Sequence, residues 1–139
     1  LNMETLWQQA YPSECVIVRP TGIYGTSVTR MIKLAETTKS YPKLHWSNRI
    51  HIDDLVAFLA HLLHVEHTEK SYICSNSQPL PLHEIIQWFQ QQLGLPVLVL
   101  ESAVSSGKQI HATRMQQMNF ELQHPHCFDD YLVLLEKRE

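Results

Sequence analysis

Cys15 to Val18 is an unbroken apolar run, Cys-Val-Ile-Val. A strand with one wet face alternates, so a continuous β-branched run predicts a strand covered on both faces, as in a parallel sheet. Ahead of it, Leu1 to Ala10 has helical spacing and reads as the last turns of a helix. Tyr11-Pro12 stops it, because the residue before a proline is pushed out of the helical region. Beyond the strand, Met31, Ile32 and Ala35 predict a helix over 28–38, ended by Ser40-Tyr41-Pro42. Asp53 or Asp54 is expected to cap the next helix, with a carboxylate at the positive end of its dipole and Leu55, Leu59, Leu62 and Leu63 inward.

The second half alternates short elements in the same way. Residues 71–74 read as a strand, and Pro81 stands at a first helical position, with Ile85, Trp88, Phe89 and Leu93 continuing the inward face. Gly94 and Pro96 end that helix. A short strand is expected over 97–100, a loop at Ser105-Ser106-Gly107, and a short helix over 111–118 with Asn119 as its left-handed cap. A last helix over 128–136 turns Tyr131, Leu134 and Leu135 inward. Irregular mixing of short helices and strands predicts an α/β or α+β class.

A chain of 139 residues, 44% hydrophobic, buries one modest core. Its net charge of -3 comes from interspersed acids and bases, which argues against nucleic acid, whose binders gather Lys and Arg on one face. No apolar run approaches the roughly 20 residues that span a bilayer, and no signal peptide is recognisable. The expectation is therefore no membrane partner and a cytoplasmic location. Cys15, Cys74 and Cys127 are odd in number and widely spaced, which predicts reduced thiols rather than a disulfide framework or a metal site.

Two motifs carry more. Arg19-Pro20-Thr21-Gly22-Ile23-Tyr24-Gly25 leaves the apolar strand, and Arg49-Ile50-His51-Ile52-Asp53-Asp54-Leu55 runs from a strand into a helix. Both resemble the extended short-chain dehydrogenase/reductases, the family of NAD-dependent epimerases and dehydratases. There the sixth sheet strand ends in Arg-x-x-x-x-Tyr-Gly and a later strand ends before an Asp-led helix. Tyr72 to Ser75 before Pro81 to Ile85, and Gly107-Lys108 with Arg114, Asn119-Phe120 and Pro125, resemble later segments of the same family. The resemblance implies a partial Rossmann-like fold: residues 1–27 would close a dinucleotide-binding domain with its last parallel strand, and 28–139 would form a small mixed α/β substrate-binding subdomain. It also implies cofactor contacts at Arg19, Pro20, Thr21 and Gly22, and substrate contacts at Tyr24, Arg49 and His51. Arg19 as a structural anchor and Tyr24 as a core residue are equally open.

What the family needs for catalysis is not in the chain. None of Tyr11, Tyr24, Tyr41, Tyr72 and Tyr131 has a lysine four positions later, so the phenol and the ammonium that lowers its pKa are missing. Gly22 and Gly25 are followed by Val28 where a third glycine would stand, so no phosphate-cradling turn is assembled. No catalytic residue is assigned, and NAD or NADP is expected in an intact relative but not on this chain alone. Gly22 and Ser47 stand where nucleotide-sugar enzymes place an amide and an arginine, which weakens nucleotide sugars as substrates. The expected partners are an N-terminal dinucleotide-binding portion or a second copy, and a small-molecule substrate. The alternative is a non-catalytic sensor, scaffold or assembly module.

Histidines invite a metal reading that spacing resists. His61, His64 and His67 fan around a helix, and His124 and His126 form a pair with no carboxylate beside them in sequence. Asp53-Asp54 is expected to cap rather than to act as a catalytic pair, and no serine sits in a nucleophile elbow.

Overall fold

The computed structural model describes residues 2–138. Leu1 and Glu139, the outer limits of the expected first helix and of the 28–139 subdomain, lie outside the described residues. Helix α1 (Met3–Ala10) opens on Asn2, whose side chain accepts the Thr5 N–H at 2.8 Å. Strand β1 (Ile17–Pro20) follows, then β2 (Gly22–Tyr24), α2 (Thr29–Thr37), β3 (Ser40–Tyr41), β4 (Leu44–Ser47), β5 (Arg49–His51) and α3 (Ile52–Leu62). The remainder is β6 (Ser71–Cys74), β7 (Leu80–Pro81), α4 (Leu82–Leu93), β8 (Val99–Leu100), β9 (Ser105–Ser106), α5 (Thr113–Gln117) and α6 (Cys127–Lys137). The chain is thus mixed α/β, with short parallel strand pairs of a partial Rossmann-like fold.

Two parallel pairings organise the molecule. β1 lies beside β6, with Ile17 opposite Ser71 and Pro20 opposite Cys74, and β2 lies beside β5, with Gly22 opposite Arg49 and Tyr24 opposite His51. The expected burial of the first strand on both faces is corrected: Ile17 and Val18 are half-buried and Arg19 and Pro20 exposed. The reason is that among the described residues β1 has only β6 as a strand neighbour.

One core gathers Ile50, Leu55, Phe58, Tyr72, Cys74, Ala112 and Met115, with Val16 and Val18 packed against it. α3 faces it through Leu55 and Phe58, not through the expected Leu59 and Leu63, which are 43% and 84% exposed. The helical stripe runs through Phe58, and reading only its leucines places it off the buried face. A second core packs α2, α4 and α6 around Val28, Ala35, Ile85, Phe89, Cys127 and Tyr131. Gln90 pins it: fully buried, it donates to Ala35 O (3.1 Å) and Thr38 O (2.8 Å) and accepts the Leu98 N–H (2.7 Å).

Ser105 and Ser106, expected in a loop, pair with β4 instead. The following Gly107 has φ +77°, and a Cβ there would meet Trp46 O at 2.6 Å. Gly94 and Asn119 adopt the expected left-handed conformation, at φ 67° and 56°. Among the described residues no helix is long and apolar enough to cross a membrane.

Candidate functional site

Open α/β sheets present ligands at the carboxyl ends of their parallel strands. Here that place is the turn from β1 into β2. Thr21 is tied down by its N–H and its hydroxyl, both donating to Cys74 O at 3.0 Å, and Gly22 N–H donates to Asn48 O at 3.0 Å. Pro20 and Gly22 are exposed, and a Cβ at Gly22 would stand 3.1 Å from Asn48 O, so the turn sits close to its neighbour strand. Arg19 points elsewhere: its guanidinium pairs with Glu4 of α1. It also lines an open pocket of about 330 Å³ with Ser71, Ile73, His111 and Arg114.

The β2–β5 register brings Tyr24 against His51, ring edge to face at 5.1 Å. The α6 end of the chain closes over both. Tyr24 donates its hydroxyl to Asp130 Oδ2 at 2.7 Å, and Asp130 Oδ1 lies 2.6 Å from His124 Nδ1. The His124 ring stacks on His51 with centroids 3.6 Å apart and planes 8° from parallel. Burial, and then the hydrogen bond to Asp130, push the Tyr24 phenol far above its ordinary pKa, so this tyrosine is a fixed donor. Burial lowers the pKa of His124, but the hydrogen bond and charge of Asp130, with the charges of Asp54 and Asp53, outweigh it and raise the net value.

Arg49, on the same strand as His51, is 95% buried, since its exposure is 5%. Its guanidinium donates to Ser47 Oγ and, at 3.5 Å, to Gln78 O. The structure therefore groups Tyr24 with His51, while the Arg49 guanidinium lies behind them and reaches the loop after β6.

Two expectations fail. The cap of α3 is His51, whose Nδ1 accepts the Asp53 N–H at 3.0 Å, and neither aspartate fills that role. Asp54 is instead buried and receives the N–H groups of Gln123 and His124 at 2.8 and 2.9 Å. A helix starting at Ile52 puts Asp54 inside the first turn, facing the core side, where only a partner from another segment satisfies it. Nor is His124 an isolated histidine: folding supplies Asp130, His51 and the Asp53 carboxylate, 3.5 Å from its Nε2. His126 turns away to Gln78 at 3.0 Å.

His51, His124 and Asp130 offer ligand atoms within 4.8 Å of one another. The stack opposes a shared ion. Parallel imidazoles aim their lone pairs in parallel planes, so an ion in the plane of one ring lies about one stacking distance outside the plane of the other, beyond the ~2.0–2.1 Å of a metal–nitrogen bond. A proton between carboxylate and imidazole fits without rearrangement. The thiols are quieter still: burial pushes Cys74 and Cys127 up to about 11, which suits packing rather than nucleophilic chemistry.

No protein-family model matches the sequence, and no curated protein does. Solved structures match the fold. A provisionally named NAD-dependent epimerase/dehydratase from Methylobacillus flagellatus superposes with TM-score 0.70 and 29% identity over 94% of this chain and 50% of that one. For dTDP-glucose 4,6-dehydratase from Bacillus anthracis, solved with NAD, the TM-score is 0.71 and the identity 16%, over 99% and 49%. For dTDP-4-dehydrorhamnose reductase from the same organism, solved with NADP, the TM-score is 0.56 and the identity 20%, over 88% and 48%. The chain spans about half the length of these structures.

Proposed function

We propose that this chain, which has the fold of the C-terminal half of the extended short-chain dehydrogenase/reductases, forms the substrate-side wall of an NAD(P)-dependent epimerase/dehydratase-like site and carries no reacting group of its own. The observation that supports this best is the exposed turn at Pro20 to Gly22, held at the ends of β1 and β6 by Cys74 O and Asn48 O. In this reading Arg19, Pro20, Thr21 and Gly22 border the nicotinamide, with Arg19 acting through α1. The Thr21 and Gly22 N–H groups are engaged within the chain and proline has none, so the turn brings no amide donors for a pyrophosphate. That fits a contact surface for the ring end of a dinucleotide rather than a phosphate cradle.

When bound, the nicotinamide would accept or return a hydride at its C4, while a phenol outside this chain exchanges the matching proton. The residues here orient and exclude water. Tyr24, Arg49 and His51 shape the substrate side from behind, because the Tyr24 hydroxyl, the terminal nitrogens of Arg49 and Nδ1 of His51 are engaged within the chain. Two matched enzymes are named for nucleotide sugars, but Gly22 and Ser47, the latter donating to Leu80 O, favour a small substrate without the nucleotide. Functionally, residues 1–27 belong to the nucleotide side and 28–139 to the cap, although β1 pairs with β6 across that division. We place the chain in the cytoplasm, where its free cysteines stay thiols.

Isothermal titration of the 139-residue chain with NAD, NADH, NADP and NADPH tests the division of labour. The expected outcome is no binding at micromolar levels. Joined to the nucleotide-binding half of the Methylobacillus relative, the chain should bind a dinucleotide, and Gly22→Val should weaken that binding about tenfold, roughly 1.4 kcal/mol. Micromolar affinity of the chain alone, or a chimera indifferent to Gly22→Val, would overturn the reading. A second reading, a non-catalytic assembly module, draws on the open edge of β1 and on Met3, Leu6 and Trp7, exposed on α1.

A further inference from the structure

We propose that the stacked rings of His51 and His124, bridged to Tyr24 through Asp130, form a one-proton clasp that holds residues 123–130 over the ends of β2 and β5, and that a second proton opens it. The proposal concerns the chain itself and does not depend on any cofactor or substrate.

The ring geometry limits the pair to one charge. His51 Nδ1 accepts the Asp53 N–H at 3.0 Å, so that atom is unprotonated in the closed arrangement. Adding a proton there would set two donors against each other, remove the cap of α3, and place a second cation 3.6 Å from His124. Two imidazolium rings face to face at that separation repel strongly in a part-buried setting. His124 is the ring equipped to hold the proton, because Asp130 Oδ1 lies 2.6 Å from its Nδ1.

The groups facing the pair come from every packed element: Tyr24 from β2, Asp53 and Asp54 from α3, and Asp130 from α6, with Arg49, Cys127 and Tyr131 behind them. Of these, Asp54 reports the state of the clasp. It is 1% exposed and its two oxygens receive the amides of Gln123 and His124, so any lifting of the segment exposes two identified N–H groups together.

The direction of the pH effect follows from the charges. A raised pKa on His124 in the folded state means that its pairing with Asp130 stabilises fully below the ordinary imidazole value and is lost as pH rises through the folded value. A second proton on the stack acts in the opposite sense at the acid end. The clasp is therefore tightest at an intermediate pH and loosens on both sides.

Hydrogen exchange on the full chain, read as protection factors for the Gln123 and His124 amides between about pH 5 and about pH 9, decides the matter. We expect a bell-shaped profile, with protection falling about tenfold on each side. Asp130→Asn should remove the alkaline limb, and His51→Asn, which keeps a side-chain oxygen for the α3 cap, should remove the acid limb. Histidine Cε1–H resonances followed over the same range should show the His124 titration moving down in Asp130→Asn. A flat profile for the wild-type chain would overturn the proposal, as would limbs that survive in both variants or a His124 titration unchanged by Asp130→Asn.

Discussion

Gly25 shows how tightly the candidate site is built at the scale of one residue. Its φ is +116°, and a Cβ there would meet Cδ2 and Cε1 of His51 at 2.7 and 2.8 Å. The ring cannot swing away, since His124 stacks on it and its Nδ1 caps α3. Gly25→Ala therefore combines backbone strain with overpacking, and we expect it to lower the unfolding free energy by about 2–4 kcal/mol. Urea denaturation with an unchanged slope is the check, and a loss under about 0.5 kcal/mol would mean that the β2 turn relaxes. The adjacency of Tyr24 and His51 was within reach of the sequence, because each lies in a motif on a strand and the strand register joins them. The true role of Asp54 and the bond from Tyr24 to Asp130 were not legible, because those contacts cross 69 to 106 positions of sequence, and the His124–Asp130 pair, six positions apart, joins the site only through them. For Asp54 the local hint was an aspartate pair at a helix start, which capping explained equally well.

At the scale of elements, the helices were legible and most of the shortest strands were not. α4 announces itself through Ile85, Phe89 and the Gly94 stop, and β8 lies within the apolar strand expected over 97–100, whereas β3, β7 and β9 span two residues each, too few for periodicity to speak. What holds such strands is often a single side chain, and for β8 and the end of α2 it is Gln90. No propensity argument selects a buried glutamine, beside Phe89 on α4, for the face that meets Ala35 of α2. Its amide does so by pairing two carbonyls and one N–H that the bend between elements leaves open. Gln90→Leu preserves the volume and removes all three bonds, and buried orphans cost about 1–3 kcal/mol each before relaxation. We expect a net loss of about 3 kcal/mol in thermal or urea unfolding, with accelerated exchange at the Leu98 amide. Wild-type stability in Gln90→Leu would show that water reaches these groups.

For the whole molecule the decisive feature is the sheet edge. The apolar run at Cys15 to Val18 implied neighbours on both sides, but among the described residues β1 has β6 on one side alone. An unpaired edge carries free N–H and C=O groups that invite another strand. Beside it, α1 has no buried residue and leaves Met3, Leu6 and Trp7 at 68%, 47% and 51% exposure. Surface of this kind is tolerated when a partner covers it, and for the chain on its own the available partner is a second copy. We expect the purified 139-residue chain to self-associate through β1 and α1, and Ile17→Lys to shift it towards monomer in light scattering. Because Ile17 is half-buried, circular dichroism must show that the variant folds. Trp7→Ser, at an exposed position, supplies an independent probe that should weaken assembly in the same direction. A folded monomer that neither substitution alters would mean that this edge needs no cover, and the case for a half-built sheet would fall with it.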